Sequence, residues 1–397
     1  MTIRLVAVIL LPVLPVVVNA ELSPITDHAM SEVTGQAFVS VDRQYHPDAN
    51  DSTAYTRVNL GMDIEVQTNV DAIEMGRYER AGEKPGTSDV YIEDFALGYI
   101  NNQAYYSANP SMPRQGKPDG GAYAQGEIVP FSISNPFFEF AQDEITNEIV
   151  GFRLGFGDAM GVLSGSIKNL TGNVNIEILD RGEGLKNAES DGSFGDSLIV
   201  ALAPYLTSGD PLYAKAQLVH GEGPNIGEAD PIRAEYAGIL NGEKIVIKDV
   251  AGITRGLLRI VGGTASSTIN LVNPNCGFFC GKGDVEVMVK DCKALGIGVC
   301  FRLDSYNSFP IGEVSQVGGE PHLTGPVDGV FMSFQTKDLE WLKDVKRQNL
   351  SPADFIRATQ GAFFNIPNGA TVVNLEQALH GIPRLRTEYI DRGLGLF

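Results

Sequence analysis

The residues of this sequence that could do chemistry are few and widely spaced. None of the five histidines belongs to a His-Glu-x-x-His pair, the spacing that lets two imidazoles bind zinc beside a catalytic glutamate. The sequence contains neither a Gly-x-Ser-x-Gly nucleophile elbow nor a Gly-x-x-x-x-Gly-Lys phosphate loop. The histidines are His28, His46, His220, His322 and His380. We therefore predict that the protein is not an enzyme and has no cofactor.

Two acidic loops contain oxygen ligands that calcium could use. One holds Asp191, Ser193 and Asp196, and the other holds Asp48 and Asp51. Short runs of Asp, Asn, Ser and Gly are also typical of solvated loops with Asx turns, in which the side chain bonds the backbone two residues further on. This second interpretation is favoured, and we predict no metal site.

All four cysteines lie in one short window of the chain, at Cys276, Cys280, Cys292 and Cys300. In an exported protein an even number of cysteines indicates disulfides, and four cysteines allow three pairings. Zinc is less favoured, because the gaps of three, eleven and seven residues contain no histidine and differ from the two-residue spacing of zinc knuckles. We predict two disulfides confined to residues 276–300.

The segment PFSISNPFFEFA concentrates four aromatic rings, those of Phe131, Phe137, Phe138 and Phe140. Exposed together, such rings would form a binding patch. Large aromatic side chains are more often found in a protein core. The residue types favour packing in the core of a β-sandwich, with the binding patch as the alternative.

The elements that must position these residues are mainly strands. Alternation of apolar and polar residues predicts a half-buried strand, and it runs without error through RVNLGMDIEVQ, residues 57–67. The run DSLIVALAPYL, residues 196–206, is apolar on both faces and predicts a buried strand or core segment. Further strands are predicted at AFVSVDRQY (37–45), IVGFRLGFG (149–157), GNVNIEIL (172–179) and GDVEVMVKDC (283–292).

Glycines and short loops separate these strands. The breaks are predicted at Gly161, Gly165, Gly172, Gly262 and Gly263, and long surface loops are predicted at residues 109–126 and 181–197. With 45 glycines, the pattern predicts a mainly β fold: an antiparallel β-sandwich or an extended multi-strand β body.

A small helical segment is predicted near the C-terminal end. The runs TKDLEWLKDVKRQ (336–348), SPADFIRATQG (351–361) and NLEQALHGIP (374–383) each predict a short helix. The second run has Ser351 as N-cap and Asp354 at the position that completes a capping box.

The first residues have the pattern of a secretory signal peptide. A single arginine precedes an apolar run over residues 5–18, and the run ends in Val18-Asn19-Ala20. We expect cleavage between Ala20 and Glu21, because the run is shorter than the about 20 apolar residues of a membrane helix and contains two prolines. The expected location is therefore the periplasm, the outer-membrane surface or an extracellular fibre.

The net charge of the chain argues against nucleic acid as a partner. Thirty basic against 49 acidic residues give a formal net charge of −19. A strongly acidic surface repels phosphate backbones, so we expect no binding to nucleic acid.

A short apolar helix is predicted directly after the cleavage site. In LSPITDHAMSEVTGQAF, residues 22–38, Thr26 is a good N-cap and Gly35 ends the helix. Ala29, Met30 and Val33 share one helical face. A helix of this length is not stable alone, so these residues must be buried against this chain or a neighbour. We interpret residues 22–36 as a docking motif.

This N-terminal pattern resembles that of FilA-type pilus-assembly or pilin-like secreted proteins of Gram-negative bacteria. The residues that carry the resemblance are Leu22, Asp27, Met30, Ser31, Glu32, Val33, Thr34, Gly35 and Gln36. The resemblance implies a β-rich surface structural protein without catalytic residues. Its partners would be other pilus or surface-assembly proteins, including further copies of itself, with association with the outer membrane as a further expectation.

Four regions are predicted: a signal peptide (1–20), the docking motif (21–36), a β-rich body that could hold two subdomains (37–330), and a C-terminal helical or strand region (331–397). The function predicted is that of a structural or assembly component of a surface fibre. An outer-membrane β-barrel is one alternative, since residues 57–67 have the length of a spanning strand and the sequence ends in Phe397. An extracellular β-scaffold that binds or hydrolyses a ligand is the other.

Overall fold

The computed structural model of the protein describes residues 39–180, 184, 188–206, 212–262, 269–272 and 281–388. The predicted signal peptide, its cleavage site and the docking motif lie outside the described residues, as do Cys276 and Cys280. The predicted fold class is confirmed, because the described chain is mainly β and its helices are short.

The larger of two main sheets contains thirteen strands in the described part of the chain. Eleven follow one another in the order β1 (Val39–Tyr45), β2 (Thr53–Leu60), β10 (Phe137–Asp143), β11 (Glu148–Gly155), β26 (Phe331–Gln335), β29 (Gly361–Val373), β13 (Gly172–Asp180), β14 (Leu212–Val219), β16 (Lys244–Val250), β18 (Gly283–Met288) and β17 (Ile269–Leu271). The strands β15 (Tyr236–Gly238) and β21 (Cys300–Arg302) extend it beside β14. Within this order β13 and β29 are parallel, whereas the other pairs are antiparallel.

The second main sheet has seven strands. They are β3 (Asp63–Val66), β9 (Phe131–Ser134), β12 (Asp158–Leu170), β5 (Ser88–Leu97) and β4 (Thr68–Arg77), with β22 (Ser308–Ile311) and β25 (Val327–Asp328) also paired to β12. Smaller sheets join β19 (Lys293–Ala294) to β20 (Ile297–Gly298), β27 (Leu339–Leu342) to β28 (Phe355–Ala358), and β6 (Tyr99–Ile100) to β8 (Ile128–Val129). A three-stranded sheet contains β23 (Glu313–Val317), β24 (Glu320–Gly325) and β7 (Arg114–Gln115).

The described chain also contains four α-helices, the last of which follows the final strand. They are α1 (Gln103–Ala108), α2 (Phe194–Leu206), α3 (Gly252–Gly262) and α4 (Leu375–His380), and single 3-10 turns occur at Leu303–Ser305 and Pro352–Asp354. Among the described residues, no helix has both the length and the apolar character that crossing a membrane requires.

The described chain has two separate hydrophobic cores that pack against these sheets. In the larger core, Met332 and Phe364 of the thirteen-stranded sheet face Val90 and Ile92 of the seven-stranded sheet. The smaller core lies on the opposite face of the thirteen-stranded sheet, where the β27–β28 hairpin covers Tyr55. Different parts of the thirteen-stranded sheet are therefore covered on different faces.

The predicted strand over residues 57–67 is wrong as a single element. The strand β2 ends at Leu60 in one sheet, and β3 begins at Asp63 in the other. Between them the amide of Met62 donates to the carbonyl of Leu60 at 2.8 Å, which makes a tight turn. Because the alternation continues through the turn, the period alone did not reveal the change of sheet.

Of the two alternatives for residues 196–206, the buried strand is wrong, since this run lies within α2, whereas the core segment is right for Ile199 and Val200, which are buried in the larger core. The helix begins with two reciprocal bonds: the Ser193 amide donates to Asp196 Oδ2 at 3.0 Å, and the Asp196 amide donates to Ser193 Oγ at 3.2 Å. A Ser-x-x-Asp capping box therefore directs an all-apolar run into a helix.

Two of the predicted glycine breaks do not end strands. Gly161 and Gly165 both lie inside β12. A Cβ atom at Gly161 would come within 2.8 Å of the Phe131 ring, and one at Gly165 within 2.5 Å of Ile92. These glycines let neighbouring side chains approach the backbone closely.

Of the three C-terminal helices, one is confirmed and two are wrong. Helix α4 begins after Asn374, whose side chain forms a capping box with Gln377. Residues 336–348 instead contain β27, because Leu339 and Trp341 are buried in the smaller core, where they alternate with Glu340. Over 351–361 the Ser351–Asp354 capping box forms, but it closes only one 3-10 turn before β28.

The boundary predicted at residue 330 does not separate two structural units. Strands β26 and β29, which follow it, lie between β11 and β13 of the thirteen-stranded sheet. Because strands distant in sequence pair inside one sheet, the region from residue 331 completes the β body.

Candidate docking surface

The phenylalanine-rich segment divides between two faces of the sheet. Within β10, Phe137 points into the protein and is 4 % exposed, whereas Phe138 and Phe140 are 38 % and 37 % exposed. Phe131, in β9, is fully buried. Successive side chains of a strand point to opposite faces, so the core interpretation is right for two of these rings and the binding-patch interpretation fits the other two.

The two exposed rings belong to a larger apolar row. Phe140 lies directly opposite Phe152 of β11, and Phe152 lies opposite Phe334 of β26. The Phe138 and Phe152 rings stack with centroids 6.0 Å apart, and those of Phe140 and Phe152 are 5.4 Å apart. Phe334 is 42 % exposed, so the row remains open to solvent.

This row continues to the edge of the sheet. Val58 of β2 lies opposite both Phe138 and Val41, and Val41 belongs to β1, the terminal strand of the sheet. Ile149 adds a further exposed side chain beside Phe152. We call the surface formed by these residues the aromatic face; they are Val41, Val58, Phe138, Phe140, Ile149, Phe152 and Phe334.

A depression lies at one side of the aromatic face. It has an open volume of about 370 Å³, and Ile149, Phe152 and Phe334 line it together with Tyr78 and Gly361. The lining is mostly apolar, and the volume is sufficient for one or two large side chains of a partner.

The opposite face of the same strands carries a buried row of charges. Arg57, Glu139 and Arg153 lie opposite one another on β2, β10 and β11. Arg57 Nε donates to Glu139 Oε1 at 3.0 Å, and Arg153 Nη2 donates to Glu139 Oε2. All three side chains are buried, Glu139 and Arg153 completely.

The β27–β28 hairpin covers this charged row. Arg153 Nη1 donates to the carbonyl of Leu342 at 2.6 Å, and its guanidinium lies 5.0 Å from the Trp341 ring centre and 4.9 Å from that of Phe331. Burial lowers the pKa of Arg153, and the charge of Glu139 opposes this effect. These directional bonds fix the strands that present the aromatic face.

The four described histidines lie in different elements and loops of the fold, and His28 lies outside the described residues. His46 is buried against Phe355, its Nε2 lies 3.0 Å from Glu340 Oε2, and its Nδ1 accepts from the Asp48 amide. His220 Nδ1 lies 3.3 Å from a carboxylate oxygen of Asp230, whose pKa is raised by burial. His322 lies in β24 and His380 in the last turn of α4.

The acidic loops use their side chains locally. Asp48 Oδ1 accepts from the Asn50 amide at 2.9 Å, and Asp51 Oδ1 accepts from the Thr53 amide at 2.8 Å. Asp196 takes part in the cap of α2, and Asp191 pairs with Lys293 at 2.7 Å. Within the described ranges, no group of three His, Cys, Asp or Glu side chains is arranged to hold a metal ion.

One disulfide is present in the described chain, between Cys292 and Cys300. It encloses the short β19–β20 hairpin. Of the three pairings that four cysteines allow, only one contains this bond, and it joins Cys276 to Cys280. That second bond lies outside the described residues and stays a prediction.

Comparisons of the chain with protein families, with curated proteins and with solved structures return no match. The function must therefore be argued from the aromatic face and the sequence.

Sequence reasoning found only part of the aromatic face. It singled out Phe138 and Phe140, but it missed Ile149, Phe152 and Phe334. The available signal was the sequence of residues 149–153, in which the apolar Ile149 and Phe152 lie close to the charged Arg153. Both faces of the predicted strand therefore contain apolar residues, and the residue types do not indicate which face is exposed.

Proposed function

We propose that this protein is a secreted, non-catalytic structural or assembly component of a pilus-like surface fibre. The observation that carries the proposal is the aromatic face, an apolar surface that runs across five neighbouring strands to the edge of the sheet. Contiguous exposed apolar surfaces of this kind mark sites of protein association. The signal-peptide pattern and the FilA-type resemblance of residues 22–36 support the same function.

Edge strand β1 adds a second reason to propose assembly. All but one of its residues are exposed, and it pairs with β2 on one side only within the described chain. An exposed edge strand attracts further chains unless it is covered. In a fibre component this property becomes useful, because the edge and the aromatic face can be covered together by a neighbour.

The proposal is tested in a Gram-negative host that expresses the full chain. We expect the surface fraction released by shearing to contain a protein that begins Glu-Leu-Ser-Pro and that chemical cross-linking converts into a ladder of multimers or complexes. A chain that stays in the cytoplasm with residues 5–18 intact, or a surface chain that cross-links to nothing, would contradict the proposal.

A further inference from the structure

The aromatic face requires a partner with particular properties. The partner must present a narrow apolar side, since the face is only a few strands wide between β1 and β26. It must also place at least one large, adaptable side chain in the depression beside Phe152 and Phe334. These requirements describe a short amphipathic segment better than a flat protein surface.

The chain that precedes β1 has these properties. Residues 21–38 of the expected mature chain lie outside the described structure, and they lead directly into Val39. Val39 lies opposite Leu60 and two residues from Val41, so the segment leaves the β body at the margin of the aromatic face. Only residues 37 and 38 separate the docking motif from Val39, so a copy that receives the motif must lie directly alongside β1.

The composition of the segment fits the aromatic face. Its predicted helix places Ala29, Met30 and Val33 on one side and acidic residues on the other. Met30 is the largest of the three, and methionine fills irregular apolar spaces and makes favourable sulfur contacts with aromatic rings. We propose that residues 22–36 of one copy dock on the aromatic face of the next copy, with Met30 in the depression. This inference rests on the proposed function and identifies the surfaces that would perform it.

The proposed contact determines the symmetry of the assembly. The segment and the face are different parts of the same chain, so every copy offers one donor and one acceptor. Such a heterologous contact forms open chains of subunits unless the rotation between them closes a ring. A fibre would follow from a single type of contact.

The experiment uses two complementary variants of the mature chain. One lacks residues 21–36 and retains only the acceptor face. The other carries Phe140→Ser and Phe334→Ser and retains only the donor segment. Both phenylalanines are more than one third exposed, so the substitutions leave the cores intact. Phe194→Ser, at a phenylalanine that is 83 % exposed on α2, is the matched control.

We expect the unmodified mature chain and the Phe194→Ser control to form multimers in light scattering after size-exclusion chromatography. Each complementary variant alone should be monomeric, and their mixture should give a species with the mass of one of each. A synthetic peptide of residues 21–38 should bind the truncated chain, and the Phe140→Ser/Phe334→Ser substitutions in that truncated chain should weaken binding at least about tenfold. Met30→Asp in the peptide should have a similar effect.

Two results would overturn the inference. If the double phenylalanine variant still forms multimers, the acceptor face is wrong while the proposed assembly function stands. If the unmodified chain is monomeric and truncation lowers its melting temperature by several degrees, the segment packs on its own chain. The cross-linking of surface fractions then decides the proposed function separately, since it detects assembly with other proteins.

Discussion

Asp143 marks the end of β10, where the chain turns towards β11 beside the aromatic face. Its carboxylate lies 2.7 Å from the Lys337 ammonium and accepts a hydrogen bond from the Ile145 amide at 2.9 Å. These contacts lower the pKa of Asp143 to about 2, and the hydrogen bond with Lys337 has the largest effect on it. The ionised side chain therefore fixes both the turn and the neighbouring strand β26.

The effect of this carboxylate on stability should depend on pH. An aspartate in an unfolded chain has a pKa of about 3.9, so the stabilisation is fully present above about pH 4 and is lost as the pH falls towards about 2. We expect Asp143→Asn to lower the melting temperature at pH 7 and the difference from the unmodified protein to shrink between pH 4 and pH 2. Thermal unfolding followed by circular dichroism measures this difference. A difference that is constant over that range would mean that the charge of Asp143 is not responsible.

At the scale of elements, the charged row on the inner face joins three strands to a hairpin. Glu139 pairs with guanidiniums on both sides, and those of Arg57 and Arg153 also donate to the carbonyls of Val345 and Leu342. Removing the one acidic member would leave two buried positive charges without a counter-charge. An uncompensated buried charge is far more destabilising than the loss of an exposed pair.

We therefore expect Glu139→Gln to lower the free energy of unfolding by about 3–5 kcal/mol. Trp341, the single tryptophan of the sequence, is fully buried against Arg153 and reports unfolding in urea by its fluorescence. The control is Glu144→Gln, which removes the exposed pair with Arg43 and should leave stability close to that of the unmodified protein. Equal stability of the two variants would show that the buried charges do not hold the hairpin.

The sequence predicted elements well where one face is apolar and the other polar. The strand predicted at 172–179 is confirmed, as is the helix after Asn374. The strand predicted at 149–157 is also confirmed, but its residue types did not show which side chains are buried, because both faces of β11 are partly covered. In β11 the charged Arg153 is completely buried while Phe152 is partly exposed, because Glu139 supplies a counter-charge that residue types alone do not reveal.

At the scale of the whole molecule, the aromatic face could not be predicted from the sequence. Val41 and Phe334 are nearly 300 residues apart in the chain, yet three intervening strands bring them onto one surface. Each contributing segment contains only one or two of the apolar residues. Their combination depends on the order of strands in the sheet, which local periodicity does not specify. The predicted docking motif, by contrast, is continuous in sequence, so residue types and spacing alone are enough to propose it.

The net charge of the molecule leads to a prediction that separates apolar docking from ionic assembly. The full sequence has a formal charge of −19, and the mature chain lacks Arg4 and is one unit more negative, so its copies repel one another. Salt reduces this repulsion, because the screening length falls from about 30 Å at 0.01 M to about 8 Å at 0.15 M. Contacts between Met30 and the aromatic face are apolar and are not weakened by screening. We therefore expect the multimeric fraction of the mature chain, measured by sedimentation equilibrium, to increase over this range of salt. If it decreases instead, charge pairs dominate the interface, and a surface other than the aromatic face must join the subunits.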